Sequence, residues 1–223
     1  MTSRAWDVIT FDCYGTLVDW RGGIVRAFRE AAERDGIKAD DATVLALYNE
    51  VEPIVEAERY RRYRDVLTES ARRIAARLAW PLSDSHATFL AESLPGWTPF
   101  ADTNAALERL VGAGYRLGIL SNTDDDLIAA TRRHLTVPFD MVITAQQVRS
   151  YKPGHAHFES ARERLRERRW LHAAQSYFHD VVPAVALGIP VAWINRLGEA
   201  AGPGGPTPDR EFANLTGLAD WLA

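Results

Sequence analysis

Asp12 closes the apolar run Val8-Ile9-Thr10-Phe11 and opens the turn Cys13-Tyr14-Gly15-Thr16. An apolar run of this kind suits a strand covered on both faces, and a carboxylate at its end is partly desolvated while still facing the crevice beyond the sheet. A desolvated, aligned carboxylate can act as a nucleophile. Gly15 permits a backbone conformation that residues with a Cβ resist, and the Thr16 hydroxyl can donate to the neighbouring acid. Three further groups of residues could serve the same chemistry. Leu120-Ser121-Asn122-Thr123 runs into Asp124-Asp125-Asp126, an acidic first turn, so Ser121 and Asn122 can form a small anion cradle beside a helix N-terminus. Lys152 precedes Pro153 just before another helical pattern and can reach the strand ends as a fixed positive charge. Gln175-Ser176-Tyr177-Phe178-His179-Asp180 ends apolar sequence in polar groups.

These groups need a scaffold that brings four distant segments to one edge. The runs Val8 to Phe11, Leu117 to Leu120, Met141 to Thr144, Ala174 to Phe178 and Val191 to Ile194 read as strands. Helical patterns near Asp124 to His134, His155 to Arg168 and Val181 to Leu187 lie between them. Such alternation predicts an α/β fold, a three-layer Rossmann-like parallel sheet. From about Gly22 to Leu94 the pattern is helical instead. Ile24, Ala27, Phe28, Ala31 and Ala32 recur at helix spacing, and Gly36 marks a stop. A second helix begins near Asp41, meets Pro53 and resumes through Leu67, Ala71, Ile74 and Leu78. The expected organisation is therefore a core of residues 1–19 and 96–223 with an inserted helical cap of residues 20–95. The tract Gly202-Pro203-Gly204-Gly205-Pro206-Thr207-Pro208 reads as a surface loop.

Composition narrows the partners. With 26 basic against 30 acidic residues the 223-residue chain carries a formal charge of −4, which argues against nucleic acid or an anionic membrane and for a small ligand. One cysteine excludes an internal disulfide framework. The opening Met1-Thr2-Ser3-Arg4 stretch lacks a hydrophobic signal region, so a cytoplasmic location is expected. Cys13 should alternate to the opposite side of the strand from Asp12 as a small buried hydrophobe. His155 and His157 read as helix surface. His179 either faces solvent or assists a water.

Asp12, Ser121, Lys152 and Asp180, in this order and with a helical insertion after the first strand, resemble the haloacid dehalogenase-like hydrolase superfamily over nearly the whole chain. The resemblance implies that Asp12 is a nucleophile. Members that hydrolyse phosphate esters have Asp-x-Asp at the first strand and an acid that helps to hold Mg²⁺ in the fourth motif. This chain has Tyr14 and Ala174-Gln175-Ser176 at those places. A phenol with a pKa of about 10 is a poor general acid near neutral pH, and a lost carboxylate weakens a Mg²⁺ site. Asp12-Cys13-Tyr14-Gly15-Thr16 is similar instead to the signature of the L-2-haloacid dehalogenase branch, which implies metal-free displacement without a cofactor. Asp12 would attack the halogen-bearing carbon of a small 2-halocarboxylate, and water would hydrolyse the resulting ester. On the same resemblance Lys152 keeps Asp12 ionised, Thr16 orients it, and Ser121 and Asn122 bind the substrate carboxylate. Asp180 with Ser176 orients Lys152 and the water, and the cap mediates a homodimer. The branch's cap arginine is replaced here by Asn49, so Arg59, Arg61, Arg62 or Arg64 could supply a cation from the cap. Their run also reads as a solvated helix face. Two further branch residues, a Tyr and an Asn, are replaced by Phe158 and Tyr177. Trp20 is either a wall of the substrate pocket or core packing. A phosphatase with a degraded metal site and a non-catalytic anion- or partner-binding protein are the alternative functions.

Overall fold

The computed structural model describes residues 4–202 and 204–223. Met1 to Ser3 of the opening stretch and Pro203 of the Gly202–Pro208 tract lie outside them. The chain divides into an α/β unit (up to Val18, Pro99–Asn122 and Arg133–Ala223) and a helical unit (Asp19–Thr98 and Thr123–Arg132).

The α/β unit is built on a six-stranded, all-parallel sheet in the order β3-β2-β1-β4-β5-β6. Its strands are β1 (Val8–Phe11), β2 (Arg116–Ser121), β3 (Met141–Thr144), β4 (Trp170–Ala174), β5 (Val191–Ile194) and β6 (Arg210–Phe212). From β1 the chain winds outward through β2 and β3, then returns to the other side of β1 through β4 to β6. Right-handed crossovers in opposite directions put helices on both faces, which gives three layers. It also creates a topological switch between β1 and β4, where the connections leaving the two strands run in opposite directions. Burial explains the composition: all four residues of β1 and β5 and all five of β4 are buried, as a strand covered on both faces requires.

The sequence expectation for the fourth strand was displaced. Gln175 to Phe178 is not strand; β4 ends at Ala174, and Tyr177–Val181 forms a π-helical turn. The reason is pairing: Trp170, Leu171, His172 and Ala173 register against Val8, Ile9, Thr10 and Phe11. His172 makes the segment look polar, yet it is fully buried because both ring nitrogens find partners. The short β6 and the helices α5 (Thr103–Gly112) and α10 (Leu215–Leu222) also carried no recognised signal; α5 and α10 pack on one another.

The helical unit contains α1 (Trp20–Arg34), α2 (Asp41–Ala57), α3 (Tyr63–Arg77), α4 (Phe89–Ser93) and α6 (Asp125–Thr131). In α1 the predicted stripe Ile24, Ala27, Phe28, Ala31 and Ala32 is buried, and Asp19 caps the first turn by accepting from Gly22 N at 3.0 Å. Gly23 is obligatory here, since a Cβ would lie 2.4 Å from the Trp97 ring. Gly36, at φ +70°, follows the helix end as expected. Helix α2 runs through Pro53 without interruption, held by the buried stripe Val44, Tyr48, Val51 and Val55, and stops at Ala57. Segment 123–132 groups with these helices rather than with the core. Asp124 is the tie: its carboxylate accepts the Tyr63 and Arg64 backbone N–H groups, each at 3.0 Å, and so caps α3. The remaining core-unit helices are α7 (Ala145–Val148), α8 (Ala156–Leu165) and α9 (Val182–Ala186).

Candidate functional site

Asp12 follows β1 directly, and its backbone N–H donates to Ala173 O of β4 at 3.1 Å, so the acid is delivered to the switch between these strands. Gly15 turns the chain at φ +103°, a region that disfavours a Cβ, and Gly15 N and Val18 O close the loop at 2.8 Å. The turn returns Thr16 beneath the acid, where its hydroxyl donates to Asp12 Oδ2 at 2.9 Å and itself accepts from Gln175 N at 2.8 Å. Tyr14 is half-buried on the same loop. Arg196, which sequence reasoning missed, clamps this loop from β5's end by donating to Thr16 O through Nη2 (2.9 Å) and Nε (3.2 Å).

Lys152 is 1% exposed and spends all three ammonium protons on oxygen: Asp12 Oδ1 at 2.9 Å, Asp180 Oδ1 at 2.6 Å and Leu120 O at 3.0 Å. Asn122 places it. The Asn122 side chain donates to Lys152 O at 3.0 Å and accepts from Lys152 N at 2.7 Å. Both ends of its amide are thereby engaged with Lys152 backbone, where the sequence reading had them binding substrate. Ser121 Oγ, in contrast, is buried without a hydrogen-bond partner among the described residues. Ser176 likewise differs from its expected place: Oγ accepts the His179 N–H at 3.1 Å and lies 2.9 Å from His179 Nδ1, so it caps the π-turn that delivers Asp180.

The electrostatics follow from burial and proximity. Burial pushes the Asp12 carboxyl above its ordinary range, with the like charge of Asp180 adding and Lys152 and Thr16 pulling back. For Asp180, burial acts upward, but the Lys152 ammonium and His172 outweigh it and hold the acid below the usual carboxylate range. Burial opposes the charge on Lys152, and the two carboxylates more than compensate. The trio is one cation shared by two buried carboxylates. Cys13 is fully buried as expected, and burial raises its thiol well above its normal value.

One histidine departs from the sequence reading. His157 is wholly buried rather than on the surface, with Nε2 3.2 Å from Ser121 O; burial, then Lys152, depresses it to about 3. His179, for which the sequence left two readings, is half-buried beside Asp180. In the helical unit Trp20 lies 5.5 Å, centroid to centroid, from the Tyr48 ring, and Asn49 is exposed on α2. Of the candidate cap cations, Arg61 pairs with Glu58, and Arg62 and Arg64 pair with Asp126 beside Asp124.

A family model for haloacid dehalogenase-like hydrolases matches residues 6–176. The chain belongs to that family. This hydrolase is 28% identical over 222 residues to (S)-2-haloacid dehalogenase H-109 of Pseudomonas putida, covering 96% of both chains. It is 29% identical over 210 residues to haloacetate dehalogenase H-2 of Moraxella sp. (strain B), covering 91% of this chain and 92% of the other. Its fold is that of L-2-haloacid dehalogenase from Xanthobacter autotrophicus, with a TM-score of 0.83 at 22% identity over 97% and 98% of the two chains. No helix among the hydrolase's described residues is long and apolar enough to cross a membrane.

Proposed function

We propose that the hydrolase removes halide from a small 2-haloalkanoic acid through a covalent ester on Asp12. One observation carries this reading: Lys152 Nζ is bonded at once to Asp12 Oδ1 and Asp180 Oδ1, so a resident cation keeps Asp12 ionised while Thr16 fixes its other oxygen. The curated relatives that match along most of the chain, named as 2-haloacid dehalogenases, support the substrate class.

In this reading an Asp12 oxygen attacks the carbon bearing the halogen. The carbon–oxygen bond forms as the carbon–halogen bond breaks, and the halide leaves with the electron pair. Alignment and partial desolvation make a modest nucleophile effective. The Ser121 hydroxyl, which has no partner among the described residues, and the adjoining backbone bind the substrate carboxylate, while Asn122 acts by holding Lys152. Water then adds to the Asp12 carbonyl carbon and passes a proton to Asp180. The ester bond breaks, the departing alkoxide takes a proton to become the 2-hydroxy acid, and the remaining proton goes to solvent as Asp12 is restored. A cytoplasmic setting suits the free, buried Cys13.

The test is halide release from each enantiomer of 2-chloropropionate with EDTA present and an Asp12→Asn variant alongside. Release by the native chain, unaffected by EDTA and lost in the variant, is expected. No release from either enantiomer, or undiminished release by the variant, overturns the proposal.

A further inference from the structure

Behind the two carboxylates lies a buried polar chain that the reaction as written leaves unused. Trp170 and His172 of β4 and Thr10 of β1 are 8%, 0% and 0% exposed. Trp170 Nε1 donates to Thr10 Oγ1 at 2.6 Å, Thr10 Oγ1 is 2.8 Å from His172 Nδ1, and His172 Nε2 is 3.0 Å from Asp180 Oδ1. An indole N–H only donates, so Thr10 accepts at that contact. The Thr10 hydroxyl proton then has one acceptor among the described residues, His172 Nδ1. An accepting Nδ1 puts the ring proton on Nε2, aimed at Asp180. The ring proton is thus placed from both sides: Thr10 donates to Nδ1, and Asp180 Oδ1, an acceptor only, faces Nε2. Phe158 packs edge-on against the imidazole, 5.2 Å between centroids and 86° between planes, and holds its plane.

The consequence falls on Asp180. His172 and Lys152 both bond its Oδ1, and Oδ2 is buried with no partner among the described residues. Once Asp12 becomes a neutral ester, Asp180 is the one counter-ion left to Lys152 among the described residues, and a freely turning carboxylate would give it both oxygens. A second donor fixed on Oδ1 prevents that rotation.

We propose that His172 is a positioning residue for ester hydrolysis: with Lys152 it pins Asp180 by Oδ1, so that Oδ2 stays available to take the proton of the attacking water. This rests on the dehalogenation reading for its reaction step. Halide departure does not need Asp180 Oδ2, so the effect separates the two half-reactions.

The experiment compares native protein with His172→Leu, His172→Gln and Thr10→Val by rapid-quench halide release and intact-protein mass, using 2-chloropropionate. His172→Leu is expected to release about one halide per site at the native rate and then turn over about 10- to 100-fold more slowly while the covalent adduct accumulates, the range expected for one lost hydrogen bond to a charge. His172→Gln restores most of the turnover, since its amide N–H replaces Nε2–H. Equal slowing of burst and turnover, no slowing, or a Gln variant as slow as Leu overturns the inference. Nitrogen-15 spectra of His172 provide an arm independent of turnover: Nε2–H in the native protein, retained in Thr10→Val because Asp180 Oδ1 still accepts it, is expected, and an Nδ1–H tautomer in the native protein overturns it. A native protein that releases no halide strikes the dehalogenation reading itself, and the spectra still decide whether His172 donates to Asp180.

Discussion

Replacing Lys152 with Met keeps the length of the side chain and removes the charge, which tests the claim that one ammonium neutralises two buried carboxylates. Removing one partner of a buried ion pair costs about 3–5 kcal/mol, because the remaining charge is stranded. Here two are stranded. The Asp12 and Asp180 oxygens each touch the same nitrogen, at 2.9 and 2.6 Å, so they lie at most about 5.5 Å apart. At an effective dielectric constant of 20 their repulsion is about 3 kcal/mol, equivalent to roughly two pKa units. One of the pair should therefore take up a proton near neutral pH in the variant. Urea unfolding followed by fluorescence of the 7 tryptophans, at several pH values from 5.5 to 7.5, measures the effect. Lys152→Met should be about 4 kcal/mol less stable than the native protein at pH 7. The gap should narrow by up to about 1.4 kcal/mol per unit as pH falls, since protonation removes one stranded charge. Adding Asp12→Asn should stabilise the Lys152→Met background, although it strips a buried ion pair from the native one. A loss under 1 kcal/mol, a gap independent of pH, or an Asp12→Asn change that further destabilises the variant would refute the shared-cation account.

Two other outcomes are expected. Asp124→Ala leaves the Tyr63 and Arg64 N–H groups without their acceptor, so stability should fall by about 2–3 kcal/mol and Tm by roughly 5–10 °C; an unchanged melting curve removes the capping role. His157 is depressed to about 3 from an ordinary 6.5, so below pH 6.5 the unfolded chain takes a proton that the folded one refuses. Its contribution is complete above pH 6.5 and declines as pH falls toward 3, by about 1.4 kcal/mol per unit. His157→Gln should accordingly show a shallower acid loss than the native protein in the same urea series, and parallel curves contradict the burial argument.

Sequence alone determined the local events. Val8 to Phe11 had to be a doubly covered strand, Gly15 a turn that a Cβ would strain, and Ile24 to Ala32 a helix face. Each rests on a propensity or a spacing within a few residues, and the order of Asp12, Ser121, Lys152 and Asp180 made the family legible. What tertiary structure alone decided are the matters of long-range pairing. The register of Trp170 to Ala173 against β1 moved the fourth strand, turned His172 from a polar interruption into a buried donor and placed it against Asp180. Asn122 read as a free amide until Lys152, 30 residues on, claimed both its ends. Asp124 read as one acid of its own helix's first turn and turns out to cap α3. A side chain's hydrogen-bonding capacity is written in its type, but its partner is chosen by which backbone groups folding leaves unsatisfied nearby, and that choice is made across the sheet and between helices rather than along the chain.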